Sequence, residues 1–187
     1  MIVGVLLAAG RSRRFGSNKL LVSIGDIPIV IHSARALRYA VDRTVAVVRA
    51  DDHGVHDVLA AESIHCLPCP AAEGGMGFSI ACGVESSPMA TGWLIALGDM
   101  PFVRPDTIIM LTQALTRGAA IAAPTYGGRQ GHPVGFAHEF GQELAALSED
   151  QGARSLIARS ASRMTQIACE DPGILRDIDS PRDLFPG

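Results

Sequence analysis

Apolar and polar positions alternate along the chain in blocks that predict strands and helices in turn. Apolar runs of strand length, bounded by Gly or polar residues, cover 2–7, 44–48, 64–67, 93–97 and 119–123. Helical patterns between them cover 29–40, 51–62, 76–84 and 105–116, and we expect acidic residues in the first turn of the second. Further short elements are expected at 134–136, 139–147, 153–160, 165–168 and 181–185. The chain is therefore of the α/β class.

Repeated strand–helix alternation favours a three-layer, doubly wound, mostly parallel sheet with helices on both faces. The glycine-containing segment 127–136 predicts an antiparallel excursion. No repeat, low-complexity tract or linker interrupts the chain, so we expect one domain over residues 1–187. Ligands bind such sheets beyond the carboxyl ends of the strands. Both the loop Ala8–Lys19 and Asp99 fall at that edge.

The loop after the first strand has the composition of a polyphosphate site. Ala8, Ala9 and Gly10 are small enough for backbone N–H groups to approach an anion. Positive charge follows at Arg11, Arg13, Arg14 and Lys19. The loop is not a Walker A loop, since Gly-Lys-Ser/Thr is missing. It is not a dinucleotide fingerprint either, since no second glycine follows Gly10 at the required offset.

Composition and charge narrow the function classes. A net charge of -3 gives no electrostatic case for nucleic-acid binding. No window predicts a membrane span and no signal peptide precedes the first strand, so we expect a cytoplasmic protein with four reduced cysteines. Cys66 and Cys69, with His53, His56 and His65 nearby, leave a zinc site as an alternative to simple packing.

Five motifs in order give the chain a family resemblance. The segment Leu7–Leu21 resembles the signature L-A-[AG]-G-x-S-x-R-[MF]-G-x-x-K-x-L of the MobA-like nucleotidyltransferases. The other four are Gly98-Asp99-Met100-Pro101, Gly131-His132-Pro133-Val134, Gly152-Ala153-Arg154 and Asp177-Ile178-Asp179-Ser180-Pro181. Within that family the pattern is most similar to molybdenum cofactor cytidylyltransferases. The resemblance covers essentially the whole chain.

The resemblance implies a nucleotide-diphospho-sugar transferase, Rossmann-like fold and a magnesium-dependent reaction. The implied reaction moves CMP from CTP to the phosphate of molybdopterin or molybdenum cofactor and releases pyrophosphate. A molybdenum hydroxylase would receive the product. Two alternatives stay open: a guanylyltransferase or other phospho-acceptor transferase of the same family, and a non-catalytic nucleotide-binding protein that delivers a cofactor.

The same resemblance assigns roles to residues. Lys19 would contact the α-phosphate, Arg14 the outer phosphates, and Asp99 with Asp179 the magnesium ion. The nucleotide-binding set comprises Leu7, Ala8, Ala9, Gly10, Ser12, Arg14, Lys19, Ser79 and Asp99. The acceptor-binding set comprises His132, Arg129 and Arg154.

Structural roles compete with several of these assignments. Asp99 could instead form a turn, Asp179 or Ser180 could cap a helix at Pro181, and His132 could be a hydrogen-bonded structural residue. From the residues alone, Asp177 and Asp179 would share one face of a strand by alternation.

Ala9 stands where guanylyl-transferring relatives usually carry Gly, which favours a pyrimidine base.

Overall fold

A sheet built around the first strand organises the protein. The computed structural model describes residues 1–10, 18–148 and 152–184. The strands in these ranges are β1 (Ile2–Ala8), β2 (Ser23–Ile24), β3 (Ile27–Pro28), β4 (Arg43–Val48), β5 (His65–Pro68), β6 (Gly92–Leu97), β7 (Ile121–Tyr126), β8 (Arg129–Gln130), β9 (Val134–Ala137) and β10 (Met164–Ala168). Apolar runs such as β1 form buried strands because both faces of the sheet are covered.

The main sheet has the order β10-β7-β9-β6-β1-β4-β5, with β8 paired to β7, while β2 and β3 form a separate hairpin. β1 pairs in parallel with both β4 and β6. β9 runs antiparallel to β6 and to β7. The expected mostly parallel sheet with an antiparallel excursion is therefore confirmed. This topology brings the carboxyl ends of β1 and β6 together.

Helices cover both faces of the sheet. They are α1 (Ile29–Ala40), α2 (His53–Ala61), α3 (Met76–Glu85), α4 (Pro105–Thr116), α5 (Gly141–Ala145) and α6 (Arg154–Arg159). Leu6 of β1 packs in one apolar cluster with Leu37, Leu59 and Leu111 of α1, α2 and α4. Val5, its neighbour on β1, packs in the other cluster with residues of α3, α5 and α6. The predicted three layers are confirmed.

Helix α3 lies unusually close to the sheet because its residues are small. A Cβ built at Gly83 would lie 2.3 Å from Val5 Cγ1 and 3.1 Å from Val47 Cγ2. Any larger residue would push the helix away from β1 and β4. This close packing holds α3 (Met76–Glu85) against β1 and β4.

Several local predictions need correction. The second helix begins at His53 rather than 51, because Asp52 is its N-cap, and its first turn holds no acidic residue. The element expected at 139–147 is a 3-10 turn, His138–Phe140, followed by the short α5. Asp177 and Asp179 lie outside any strand, because Ile178 N–H donates to Asp99 O instead of a strand partner. None of the helices in the described ranges is long and apolar enough to span a membrane.

Candidate active site

The carboxyl ends of β1 and β6 are hydrogen-bonded to each other. Leu7 pairs with Leu97, and Gly98 N–H donates to Leu7 O at 2.9 Å. A Cβ built at Gly98 would lie 3.0 Å from that same Leu7 oxygen, so the chain passes very close to β1 here. Asp99 is the next residue, and it therefore lies near the start of the loop after β1.

Lys19 bridges two carboxylates that are distant in sequence. Its Nζ lies 2.8 Å from Asp99 Oδ2 and 2.9 Å from Asp179 Oδ1. The Lys19 side chain is 13% exposed, that of Asp99 23% and that of Asp179 56%. Asp179 reaches this position because Ile178 N–H donates to Asp99 O at 2.9 Å, which ties the 177–179 segment to the loop after β6. Two carboxylates and one ammonium therefore meet at one point.

The charge of Lys19 is set by these neighbours. Partial burial alone would lower the pKa of Lys19, because the charged form loses hydration. The hydrogen bonds and charges of Asp99 and Asp179 outweigh burial, and the net pKa is raised above its ordinary value of 10.5. Lys19 is thus a cation throughout the neutral range. It cannot serve as a general base there, but it can neutralise an anionic ligand.

A cavity of about 350 Å³ opens next to this cluster. Its lining comprises Leu7, Ala9, Gly10, Ala72, Glu73, Gly75, Met76, Ser79, Leu97 and Asp99. The predicted nucleotide-binding residues Leu7, Ala9, Gly10, Ser79 and Asp99 are brought together here, and Ala8 lies buried between Leu7 and Ala9.

Sequence reasoning missed part of this lining. Ala72, Glu73, Gly75 and Met76 belong to the 3-10 turn Pro70–Gly74 and the start of α3. The signal available was an acidic residue just before the Gly74-Gly75 pair. A Gly-Gly pair by itself indicates only a turn before the next element.

The start of α3 lies at the cavity and has no side-chain cap. Gly75 precedes the helix with φ 130°, a conformation that favours glycine, and it has no side chain to cap the helix. The first N–H groups of a helix have no partner within the helix. With Gly75 and Met76 in the cavity lining, these donors suit a ligand that carries acceptor atoms.

His132 lies close enough to Asp99 for the two side chains to interact electrostatically. Its backbone N–H donates to Ile174 O at 3.0 Å, and a Cβ at the preceding Gly131 would lie only 2.3 Å from the same oxygen. His132 Nδ1 is buried and has no hydrogen-bond partner within the described residues. The segment around His132 is therefore held tightly while its ring keeps an unused polar atom.

The pKa of His132 is lowered from its ordinary value of 6.5. The main cause is burial, and the charge of Arg154 lowers it further. The carboxylates of Asp99 and Asp177 act in the opposite direction but do not compensate. His132 is neutral at pH 7, with one ring N–H available as a donor. The predicted pair His132 and Arg154 thus interact electrostatically beside Asp99.

Arg129 is not part of this group. It lies exposed in β8, paired with Tyr126 of β7, and no hydrogen bond within the described ranges links it to Asp99, His132 or Arg154. Arg154 is exposed at the start of α6. Of the predicted acceptor set, two members are therefore close to the carboxylates. Ser12 and Arg14, predicted to bind the nucleotide, lie outside the described residues.

The donor set fits a divalent ion of the magnesium type. Mg²⁺ is commonly held by one or two carboxylates, with substrate phosphates and water filling its other positions. Asp99 and Asp179 contact one and the same ammonium, so both are near enough to share a cation.

Cys66 and Cys69 were the core of the alternative zinc site. In the part of the chain that the structure describes, no three His, Cys, Asp or Glu side chains cluster as metal ligands. Cys66 donates instead to backbone oxygens of His56 and Ile64, and Cys69 to Phe78 O. Both thiols thus make weak hydrogen bonds to backbone oxygens.

Residues 4–164 match the MobA-like NTP transferase domain. The chain belongs to the MobA-like NTP transferase family. Lys19, Asp99 and Asp179 lie on the motifs that carried the resemblance, and Lys19 and Asp99 fall within the matched range while Asp179 follows it. The match supports nucleotidyltransferase activity for this chain.

Two curated relatives illustrate the range of the family. The purine catabolism protein PucB of Bacillus subtilis (strain 168) is 30% identical, over 97% of this chain and 93% of PucB. A probable molybdenum cofactor guanylyltransferase of Chloroflexus aggregans is 31% identical, over 67% of this chain and 59% of that protein. The chain is therefore similar both to a purine catabolism protein and to a probable molybdenum cofactor guanylyltransferase.

A solved structure extends the similarity to three dimensions. The crystal structure of Rv0371c from Mycobacterium tuberculosis H37Rv has a TM-score of 0.84 at 27% identity and covers 97% of this chain and 94% of that chain. A second structure of Rv0371C, in complex with manganese, has a TM-score of 0.80 at 25% identity, covering 97% and 95%.

Proposed function

We propose that this protein is a magnesium-dependent cytidylyltransferase that moves CMP from CTP to the phosphate of molybdopterin or molybdenum cofactor. The observation that carries the proposal is the bridge from Lys19 to Asp99 and Asp179 at the edge of the cavity. Nucleotidyl transfer needs a cation for the α-phosphate and carboxylates for a divalent ion in one place. The product would pass to a molybdenum hydroxylase.

The reaction places an anionic nucleophile against an anionic electrophile. An oxygen of the acceptor phosphate attacks the α-phosphorus, the bond to the bridging α–β oxygen breaks, and pyrophosphate leaves. A phosphate oxygen is already deprotonated at neutral pH, so no general base is required. Catalysis then consists of alignment and charge neutralisation.

Each charged residue has a task in this scheme. Lys19, fixed as a cation by its raised pKa, would contact the α-phosphate, and Arg14 the outer phosphates. Asp99 and Asp179 would hold Mg²⁺, which supplies further positive charge to the phosphates when bound. The structure of Rv0371C in complex with manganese, which is similar to this chain, supports the proposal of a divalent ion.

The cavity supports a nucleotide whose base lies between β1 and α3. Ala9 is buried and lines it, so its methyl group takes space that a purine would need. The Glu73 carboxylate is an acceptor suited to an exocyclic amino group, which cytosine has and uracil lacks. Ser79 adds a hydroxyl group. Together these features favour CTP over GTP and ATP, with UTP the nearest competitor.

On the acceptor side, His132 and Arg154 are the residues we assign to the incoming phosphate. His132 is neutral and can donate one ring N–H, and Arg154 carries a positive charge next to it. Arg129, exposed on β8, would contact a more distant acidic group of the acceptor only if the acceptor extends that far.

Two other functions are separable by experiment. The guanylyltransferase relative favours GTP as a second candidate donor. A non-catalytic delivery protein would bind nucleotide without turning it over. Because ligand binding raises the stability of the native state, thermal shifts with CTP, GTP, ATP and UTP, each with Mg²⁺, rank the donors.

Pyrophosphate release from CTP with molybdenum cofactor then tests for transfer. We expect the largest shift with CTP and pyrophosphate release that depends on both Mg²⁺ and acceptor. A larger thermal shift with GTP than with CTP would favour a guanylyltransferase over a cytidylyltransferase. Binding of CTP without pyrophosphate release would favour the delivery protein.

A further inference from the structure

Asn18 fixes the start of the turn that carries Lys19. Its Oδ1 accepts from Leu20 N–H at 3.2 Å, and its backbone oxygen accepts from Leu21 N–H at 3.1 Å. The 3-10 turn Lys19–Leu21 is therefore capped by Asn18 through both side chain and backbone. The amide nitrogen of Asn18 is left to make a contact elsewhere, and it donates to Asp52 Oδ2 at 2.6 Å.

Asp52 uses its two carboxylate oxygens for two different elements. Oδ2 accepts from Asn18, while Oδ1 accepts from Val55 N–H at 3.1 Å and so caps α2. Both Asn18 and Asp52 are half-buried. One carboxylate thus fastens the Lys19 turn to the start of a helix that is itself packed on the sheet.

A packing contact supports the same junction. A Cβ built at Gly54, in the first turn of α2, would lie 2.8 Å from Leu21 Cδ1. The residues on both sides of Lys19 are therefore held on the start of α2, Asn18 by its hydrogen bond to Asp52 and Leu21 by close packing. Lys19 itself extends away from this junction toward Asp99 and Asp179.

We infer that Asp52, acting through Asn18, is a positioning residue that sets where the Lys19 ammonium lies. The inference rests on the proposed function, in which Lys19 contacts the α-phosphate during transfer. A lysine side chain is long and flexible, so the position of its backbone limits where its charge can reach. In reactions that depend on alignment, a displacement of about 1 Å can cost on the order of a hundredfold in rate.

Two variants separate this role from helix capping. Asp52→Ser keeps a side-chain oxygen that caps α2 well but removes the carboxylate that Asn18 contacts. Asn18→Ser keeps an oxygen for Leu20 N–H but removes the amide N–H that reaches Asp52, and the serine hydroxyl is on a shorter side chain. Asp42→Ala is the matched stability control, because Asp42 likewise accepts a backbone N–H, from Ile2 at 2.6 Å, at the opposite end of β1.

The measurements are kcat for pyrophosphate release from CTP with molybdenum cofactor, the Kd of CTP with Mg²⁺, and Tm. We expect both Ser variants to lower kcat about tenfold while the Kd of CTP changes little. The double variant should lose no more than either single variant, since both break one link. Asp42→Ala should lower Tm and leave kcat unchanged.

A second readout needs no acceptor. The Lys19 ammonium occupies the carboxylate oxygens that would hold a divalent ion. If the link between Asn18 and Asp52 keeps Lys19 there, loosening the link should raise the affinity of the protein for Mn²⁺ alone. Wild-type kcat in both Ser variants, losses that multiply in the double variant, or an unchanged Mn²⁺ affinity would each overturn the inference.

Lys19→Ala shows which proposal has failed. Full turnover in Lys19→Ala would overturn the role given to Lys19 under the proposed function, and the positioning role with it. If Lys19→Ala is inactive while Asp52→Ser keeps the kcat of the wild type, the positioning role alone is overturned.

Discussion

The ammonium nitrogen of Lys19 lies 2.8 Å from Oδ2 of Asp99, so a cation of the chain itself contacts the carboxylate we assign to a divalent ion. Asp179 Oδ1 contacts the same ammonium at 2.9 Å. Lys19 and a divalent ion therefore compete for one set of oxygens. During transfer the ammonium would exchange these carboxylates for the α-phosphate.

The competition predicts that Lys19→Met binds Mn²⁺ more tightly than the wild type does. Removing a partly exposed ammonium should raise the affinity about fivefold to tenfold, which corresponds to about 1 kcal/mol. Mn²⁺ titration followed by electron paramagnetic resonance, without nucleotide, measures it. Lys19→Arg keeps the charge and should stay near wild type, whereas weaker binding by Lys19→Met would contradict the competition.

Asp99→Asn should lose transfer while keeping the fold, because the amide preserves the shape and removes the charge. We expect kcat to fall on the order of a hundredfold or more. Asp179→Asn should fall less, because that side chain is more exposed, and it should recover in part at raised Mg²⁺. Steady-state kinetics across a Mg²⁺ series measures both, with exposed Asp106→Asn as the control. Near-normal turnover by Asp99→Asn would remove this residue from the mechanism.

Ala9→Gly should improve the use of GTP without reaching parity with CTP. The substitution opens space beside the buried methyl group, but the polar groups that read the pyrimidine edge stay in place. Ratios of kcat/KM from competition between CTP and GTP, measured for wild type and variant, give the change directly. If the ratio does not move, the methyl group plays no part in base selection.

His132 should make stability depend on pH in the acid range. Its folded-state pKa is lowered, so the unfolded chain binds the proton more readily, and stability should fall as pH drops below about 6.5. His132→Gln removes that contribution. Thermal unfolding in EDTA between about pH 7.5 and pH 5.5 should show a shallower loss of Tm for the variant than for the wild type. Parallel curves would mean that protonation of His132 is not coupled to unfolding.

Much of the fold followed from local patterns. The helix 29–40 was predicted with both ends correct, because Pro28 marks its start and apolar periodicity runs without a break. The buried strands β1, β4 and β6 were predicted to within a residue because they are continuous apolar runs. The hairpin β2–β3 was missed, since two residues per strand leave no periodicity to detect.

The candidate site was less accessible to sequence reasoning. Alternation placed Asp177 and Asp179 on a strand, but Ile178 N–H donates to Asp99 O, and Asp179 N–H and Ser180 N–H donate to Asp183 Oδ2. The bond to Asp99 depends on the folded chain. Glu73 was missed because no local pattern shows that its turn lies over the end of β1. The link between Asn18 and Asp52 spans 34 residues and has no sequence signature.

The most direct test follows the α-phosphorus of CTP. Wild-type protein is incubated with Mg²⁺, molybdenum cofactor and CTP labelled at the α-phosphate, and both the label in the acceptor and the pyrophosphate released are measured. We predict equal amounts of labelled acceptor and pyrophosphate with the wild type, and neither with Asp99→Asn. Label that remains in CTP, or equal transfer by Asp99→Asn, would contradict the account.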